Sequence, residues 1–406
     1  MSAFATFISS VRNGAKLFER RDDDGFDRLS NRYSIGLVLM MAGFVGLRSY
    51  TGEPIACIPP AEFTSITWRK WVDNMCWTTN TYYVPDTIPL PEDPSLVHDT
   101  SLERYSETIQ YYQWSPILLT FCAIMFAAPA TVWSWASNSR GYDVNAMVKA
   151  TSGTTHINPE VRDKTVRYLV AQMDRLLGYR RALPSRSILK KIKVGKRAGS
   201  FLIIAYLFSK LLYIANAVGM FYILNAFIGK GYRYYGLDVL RQLRDPDFQG
   251  SERFPYGTVC DFWLRRMGDN VQRYTTQCVL PANIFNEMCF LCLWFWLALV
   301  AAASILGLLL WVFTLIPAVN RAFARKYLAI MGREAMRDDE LLREFVHNYL
   351  RQDGVFCMRL LIKNTNDAIG GEIFAACWDH FLHSRRQLSR DSTTSLLRTR
   401  STSEDV

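Results

Sequence analysis

The chain has 406 residues, of which 50% are hydrophobic and 21% are charged, and its formal net charge is +10. Soluble proteins carry roughly 25% charged residues, so the overall composition excludes little. The distribution of the charges is more informative. Several long stretches contain no charged residue, which excludes a purely soluble protein.

The first 32 residues precede the first apolar stretch, and their early part has helical periodicity. Apolar residues recur there at spacings of three and four, namely Phe4, Phe7, Ile8, Val11, Ala15 and Phe18. Polar residues stand between them, among them Ser9, Ser10 and Asn13. The pattern is typical of an amphipathic helix that lies on a membrane surface.

Four stretches predict transmembrane helices, each of which needs about 20 residues to cross a bilayer. Three of the stretches are long enough by that count. The first is shorter, but Arg32 and Arg48 flank it and their side chains can extend to the headgroups. The predicted spans are residues 33–48, 111–135, 199–229 and 285–317.

The charges of the three connections between the spans predict the orientation of the chain. The middle connection, residues 136–198, has 14 basic residues against 4 acidic ones. The first, residues 49–110, has 3 basic and 9 acidic residues, and the third, residues 230–284, has 8 and 6. The middle connection is therefore predicted to be cytoplasmic and the other two extracellular, with both termini in the cytoplasm. The basic residues ahead of the third span suit anionic lipid and not nucleic acid.

Four of the nine cysteines lie in the two predicted extracellular loops. Cys57 and Cys76 belong to the first loop, and Cys260 and Cys278 belong to the second. An even number of cysteines in an oxidising compartment indicates disulfide bonds. The spacing leaves open whether the bonds form within each loop or between the loops.

Lys210 is the single charge deep inside a predicted span. A lysine at the centre of a membrane helix costs about 2.5–3.5 kcal/mol, so its side chain should face protein or water instead of lipid. Two roles remain open for it, a structural hydrogen bond and a charge that faces a pore.

The chain after the fourth span divides into two parts. Residues 318–382 mix apolar and polar residues at helical spacing, which predicts a helical cytoplasmic dome formed together with the middle loop. Residues 383–406 are rich in Ser, Thr and Arg, which predicts a disordered tail. In that tail Ser389 follows two arginines and could suit a basophilic kinase, and the terminal Glu404-Asp405-Val406 could enter a PDZ groove.

No pattern in the sequence predicts an enzyme. The five histidines have no metal-ligand spacing with the cysteines, and no glycine-rich phosphate loop is present. We therefore expect no catalytic residue, no bound metal and no cofactor.

Several short sequence motifs occur along the chain, from about Asp27 to His383. The most specific is Tyr111-Tyr112-Gln113-Trp114, directly ahead of the second span, and others surround the four loop cysteines. In these motifs the chain resembles the innexins, the invertebrate gap-junction proteins. It departs from them at Ile58, where innexins usually have a tryptophan.

The resemblance implies an all-α membrane protein with four transmembrane helices per subunit, disulfide-linked extracellular loops, a helical cytoplasmic dome and a ring-shaped oligomer. It implies bonds between the loops, Cys57 with Cys278 and Cys76 with Cys260. It also implies that the N-terminal helix folds into the pore mouth, where Ser9, Ser10 and Asn13 would face water. Rings of this kind have six to eight subunits, and we favour eight.

The function implied by the resemblance is that of a gap-junction channel in the plasma membrane. Such a channel passes ions and small metabolites and docks to a second ring on an adjacent cell. Neither predicted extracellular loop contains an Asn-X-Ser/Thr acceptor, which agrees with docking because glycans would obstruct it. Two alternatives remain, an undocked hemichannel that releases small molecules and a non-conducting adhesion or auxiliary subunit of mixed rings.

Overall fold

The structure is a computed structural model that describes residues 22–83, 108–138, 144–151, 159–182, 199–229, 234–242, 253–333 and 338–404. The helices in chain order are α1 (Gly25–Thr51), α2 (Ile66–Thr79), α3 (Tyr111–Asn138), α4 (Val144–Thr151), α5 (Pro159–Ala182), α6 (Phe201–Ile228), α7 (Tyr235–Gln242), α8 (Pro281–Phe313), α9 (Pro317–Ile330), α10 (Asp339–Glu344), α11 (Arg351–Asn364) and α12 (Asp367–Glu404). The strands are β1 (Ala56–Cys57), β2 (Thr81–Tyr82), β3 (Thr108–Ile109), β4 (Gly257–Arg266) and β5 (Asn270–Val279).

Helices α1, α3, α6 and α8 are long and apolar enough to cross a membrane. They contain between 27 and 33 residues each. A helix rises about 1.5 Å per residue, so each is longer than the roughly 30 Å of a hydrocarbon core. The prediction of four transmembrane helices is therefore confirmed.

The first of these helices is longer than the charge-free stretch that predicted it. Helix α1 begins at Gly25, where the side chain of Asp24 accepts a hydrogen bond of 2.8 Å from the Gly25 amide, and it passes through a π-helical turn at Leu29–Tyr33. The guanidinium of Arg28 donates to the carbonyl of Asp23 and to the side chain of Asn364. Because this charged side chain has partners in the protein, the helix can begin ahead of the apolar stretch.

The two predicted extracellular loops contribute to one antiparallel sheet, which the sequence analysis did not predict. Its strand order is β1-β5-β4-β2-β3, so the two strands of the second loop are adjacent and strands of the first loop flank them on both sides. Strands β4 and β5 form a hairpin in which Arg266 pairs with Asn270. At the tip, Met267 and Gly268 have φ angles of 46° and 80°, the left-handed backbone that tight turns between strands require.

The chain divides into two compact units. One contains residues 30–127 and 214–302 and includes the sheet, α2 and α7. The other contains residues 128–213, those from 303 onward and those up to 29, and includes α4, α5 and α9 to α12. The predicted helical dome corresponds to the second unit.

The helical unit has an aromatic core. Trp133, Tyr206, Trp311 and Phe356 are almost fully buried, and the ring centroids of Tyr206 lie 4.9–5.0 Å from those of the other three. Burying one large apolar side chain contributes about 1.5–3 kcal/mol, so this cluster contributes strongly to the stability of the unit.

Asp353 caps the N-terminus of α6. Its carboxylate Oδ1 accepts hydrogen bonds from the amides of Leu202 at 2.9 Å and Ile203 at 3.3 Å, and its own amide donates to the carbonyl of Gly199 at 2.8 Å. These first amides of a helix have no partner within the helix, and a carboxylate there also interacts favourably with the helix dipole. Asp353 therefore fixes where the third span begins.

The end of the chain differs from the expectation of a disordered tail from residue 383. Helix α12 continues to Glu404. Its first part is held in the helical unit by buried residues up to Phe381. Extending an existing helix adds one hydrogen bond per residue without a new nucleation cost, so a polar continuation can remain helical.

Candidate functional site

Two disulfide bonds join the two loops. Cys57 is bonded to Cys278 and Cys76 is bonded to Cys260, the inter-loop pairs that the family resemblance implies. Cys57 and Cys278 also face each other in the pairing of β1 with β5. The bonds span 221 and 184 residues of sequence. Crosslinks that close such long loops restrict the unfolded chain, and each is worth about 2–5 kcal/mol.

Helix α2 lies against the sheet through a polar contact and an aromatic row. Asp73 accepts a hydrogen bond of 2.8 Å from the amide of Cys57, beside the first disulfide. Burial raises the pKa of Asp73, although this hydrogen bond opposes the shift. Trp71 of the same helix meets the ring of Phe262 of β4 edge to face at 5.7 Å. These contacts and the disulfides make the loops into one rigid domain, which we call the loop domain (residues 52–82 and 253–280).

The loop domain leaves apolar and charged residues exposed at its surface. Met267 at the hairpin tip is fully exposed, and Trp263 and Val271 near it are also exposed. Ile58, the position at which the chain departs from the innexin pattern, is 67% exposed. Exposed apolar residues on a rigid scaffold are typical of a surface that binds another protein.

The motif Tyr111-Tyr112-Gln113-Trp114 connects the second span to the loop domain. Tyr111 donates a hydrogen bond of 2.7 Å to the carbonyl of Arg253, and Gln113 donates to the carbonyl of Trp77. The buried ring of Tyr112 lies 4.6 Å from that of Trp77, which is next to Cys76 in the chain. Trp114 is 57% exposed. Three of the four motif residues therefore position the loop domain on the span, while the fourth faces outward.

A cluster of buried polar residues lies in the helical unit, around Lys210. Its ammonium is 2.7 Å from a carboxylate oxygen of Asp27 and 3.6 Å from one of Asp24, and its side chain is 1% exposed. Tyr206 donates a hydrogen bond of 2.6 Å to Asp27, and Trp311 donates one of 2.9 Å to Asp24. The structure thus places Lys210 in an internal ion pair and not on a water-filled surface.

The acidic partners of Lys210 come from the chain just ahead of the first span. Asp22, Asp23, Asp24 and Asp27 are all buried. Asp22 accepts a hydrogen bond of 3.1 Å from the indole of Trp133, and Lys363 lies 3.4 Å from Asp24. Sequence analysis singled out Lys210 but missed these acids, because nothing in the sequence shows that residues 22–27 approach a lysine about 180 positions away.

The sulfur atoms of Cys57, Cys76 and Cys278 lie within 4.8 Å of one another, which resembles a metal-binding group. All three are in disulfide bonds, however, and a disulfide sulfur does not offer the thiolate that metals bind. The group therefore gives no support for a metal ion.

Other predicted site residues are outside the described residues. These are Phe4, Phe7, Ile8, Ser9, Ser10, Val11 and Asn13 of the N-terminal helix, and Asp405 and Val406 of the PDZ motif. Arg385, ahead of the predicted phosphorylation site, lies 3.3 Å from Glu344.

Comparison with known proteins agrees with the motifs. A family model described as Innexin matches residues 23–381. Innexin unc-9 of Caenorhabditis elegans is 33% identical over 377 residues, which cover 91% of this chain and 95% of that protein. Innexin-11 of the same organism is 30% identical over 400 residues, covering 94% and 83%, and Innexin eat-5 is 30% identical over 383 residues, covering 89% and 88%.

Proposed function

Because the chain belongs to the innexin family, which forms gap-junction channels, we propose that it is a subunit of a large-pore channel between cells. The channel would pass ions and small metabolites without an energy source, with selectivity set by the pore diameter and the charges that line it. Innexins are multi-pass plasma membrane proteins and not enzymes, and the four apolar helices of this chain agree with that.

The main support for this proposal is the rigidity of the loop domain. A surface that docks end to end with a partner must not lose much conformational freedom on binding, since that loss would weaken the complex. Two inter-loop disulfides and a shared five-stranded sheet provide such a preorganised surface. The exposed side chains of Ile58, Trp263 and Met267 are available for contact.

The proposed assembly is a ring of six to eight copies, alone or with related chains, in which we favour eight. The loop domain would lie outside the cell and dock to a ring on a neighbouring cell. Both termini and the helical unit would then lie in the cytoplasm, as the excess of basic residues in 136–198 indicates.

The N-terminal helix is proposed to line the pore mouth. The support comes from the residues that follow it, because Asp22, Asp24 and Asp27 are fixed by buried partners at one end of the bundle. The N-terminal helix would therefore begin its path into the pore mouth from this fixed point. Deletion of residues 2–15 should increase the unitary conductance or the size of the largest permeant dye, and unchanged values of both would refute this role.

Paired-cell electrical recording tests the function directly. The chain is expressed alone in two coupled cells and in single cells, and currents are measured in both arrangements. Current across the junction supports the proposed channel. Current in single cells without junctional current would instead indicate an undocked hemichannel, and silence in both, with protein at the surface, would indicate an adhesion or auxiliary subunit.

A further inference from the structure

A cavity of about 150 Å³ lies at the end of the fourth span, where α8 ends and α9 begins. Leu310, Trp311 and Phe323 form an apolar part of its wall, and Arg359 and Lys363 of α11 add two cationic groups. A water molecule needs about 10–15 Å³ of such space, whereas sites for drug-sized ligands measure about 300–1,000 Å³. The cavity is therefore suited to a small polar group and not to a whole large ligand.

Arg359 is a partly buried cation without an acidic partner among the residues that the structure describes. Its guanidinium donates hydrogen bonds of 3.1 Å to the carbonyl of Val319 and to the side chain of Asn320, both of which are neutral. The buried Nε atom makes no hydrogen bond within the described part of the chain. Burial lowers the pKa of Arg359 to about 10, which still leaves it charged at neutral pH.

Lys363 lies four residues after Arg359, so the two side chains share one face of α11. Its ammonium is 4.9 Å from the centre of the Trp311 ring, and the guanidinium of Arg359 is 4.1 Å from that of Phe323. Asp24 approaches Lys363 at 3.4 Å and neutralises part of its charge. Like charges at this spacing repel each other, and buried charges normally have a counter-ion.

The surroundings of the cavity are those of a membrane boundary. Leu309, Leu310 and Phe313 at the end of α8 are exposed, as lipid-facing residues of a span would be. Ile316 in the bend before α9 is exposed as well. A pair of cations beside the end of an apolar helix lies at the depth where headgroup phosphates are found.

We propose that this cavity binds a phosphate-ester anion, with the phosphate oxygens between Arg359 and Lys363 and the remainder of the molecule outside along the end of α8. Arginine suits phosphate because its guanidinium donates several hydrogen bonds, and the bonds of Arg359 to Val319 and Asn320 both come from Nη2, which leaves Nη1 to donate to the anion. The phosphate can belong to a membrane lipid or to a soluble ester, since both offer the same anion.

The test uses the full-length protein, purified in a neutral detergent, and native mass spectrometry. Dioctanoyl phosphatidylglycerol is titrated as an anionic phospholipid, dioctanoylglycerol as a lipid with the same chains but no phosphate, and inorganic phosphate as a soluble anion. The variant Arg359→Gln removes the central cation. Arg325→Gln is the matched control, because Arg325 is exposed, pairs with Asp339 at 2.6 Å and does not line the cavity.

We expect phosphatidylglycerol to bind more tightly than dioctanoylglycerol, and Arg359→Gln to weaken that binding about tenfold or more while Arg325→Gln leaves it unchanged. Competition by inorganic phosphate would identify a soluble ester as the ligand, and its absence would identify a lipid. If Arg359→Gln does not fold, Lys363→Gln, whose side chain is 49% exposed, serves instead and should weaken binding severalfold. Equal binding to the variant and the control, or no preference for phosphatidylglycerol and phosphate over dioctanoylglycerol, would overturn the proposal.

Discussion

Replacing Lys210 by methionine should destabilise the folded protein, because it leaves two buried acids without their cation. The ammonium lies 2.7 Å from Asp27 and 3.6 Å from Asp24. Removing one member of a buried ion pair typically costs about 3–5 kcal/mol, since the remaining charge stays away from water. Asp24 also has Lys363 nearby, so the larger part of the cost should come from Asp27.

The expected result is a thermal unfolding midpoint lower by about 5 °C or more, measured on the purified protein in detergent. The substitution itself favours insertion of α6 into the membrane, because methionine costs less there than lysine. A loss of stability therefore reports on the folded state. Lys326→Met is the matched control, since Lys326 is exposed and its ammonium lies 5.6 Å from the centre of the Tyr327 ring.

A double substitution separates the charge from the packing. Lys210→Met combined with Asp27→Asn removes both charges, and the asparagine can still accept the hydrogen bond that Tyr206 donates. The double variant should regain most of the lost stability. If Lys210→Met is as stable as Lys326→Met, or if adding Asp27→Asn restores nothing, the ion pair does not have the energetic role that its burial indicates.

Four further outcomes follow from individual contacts. Replacing Cys57 and Cys278 by serine should lower the unfolding free energy by about 2–5 kcal/mol and abolish junctional current. Asp353→Ala should cost about 0.5–2 kcal/mol by thermal unfolding, and Asp353→Asn less, because asparagine can still accept from the amides of α6. Gly236→Ala should cost about 1–3 kcal/mol, because its Cβ would lie 2.2 Å from the Trp294 ring, while Gly257→Ala, with nothing within 4 Å, should be close to neutral. Burial raises the pKa of Asp73, so the wild type should lose stability relative to Asp73→Asn as the pH rises above 3.8, and the unfolding midpoint of the variant should rise relative to that of the wild type.

The spans and the cysteine-rich loops could be predicted because the signals for them are local. A long stretch without charge has few interpretations, and the loop cysteines lie between such stretches. The start of α1 at Gly25 could not be predicted in the same way. It depends on Arg28, whose guanidinium has a partner in Asn364, and that contact joins residues more than 300 positions apart.

The loop sheet was missed although part of its signal was present. Residues 258–264 alternate between inward and outward positions and are rich in β-branched and aromatic side chains, and Gly268-Asp269-Asn270 is a turn sequence. Together they predict a hairpin. Strands β1 to β3 have only two residues each, so they are defined by the strands beside them and not by any pattern of their own.

The buried acids of residues 22–27 fix the position of this segment against the helices more than they stabilise the fold. A buried ion pair contributes little net energy compared with apolar residues of the same size, because both charges lose their hydration.

The groups that bind these acids, however, lie on different helices. Trp133 of α3 bonds to Asp22, Trp311 of α8 bonds to Asp24, and Lys210 and Tyr206 of α6 bond to Asp27. An apolar segment could slide or rotate against these helices at small cost, whereas displacing this one would leave several buried polar groups without partners at about 1–3 kcal/mol each. The acids therefore fix the position of the chain at which α1 begins.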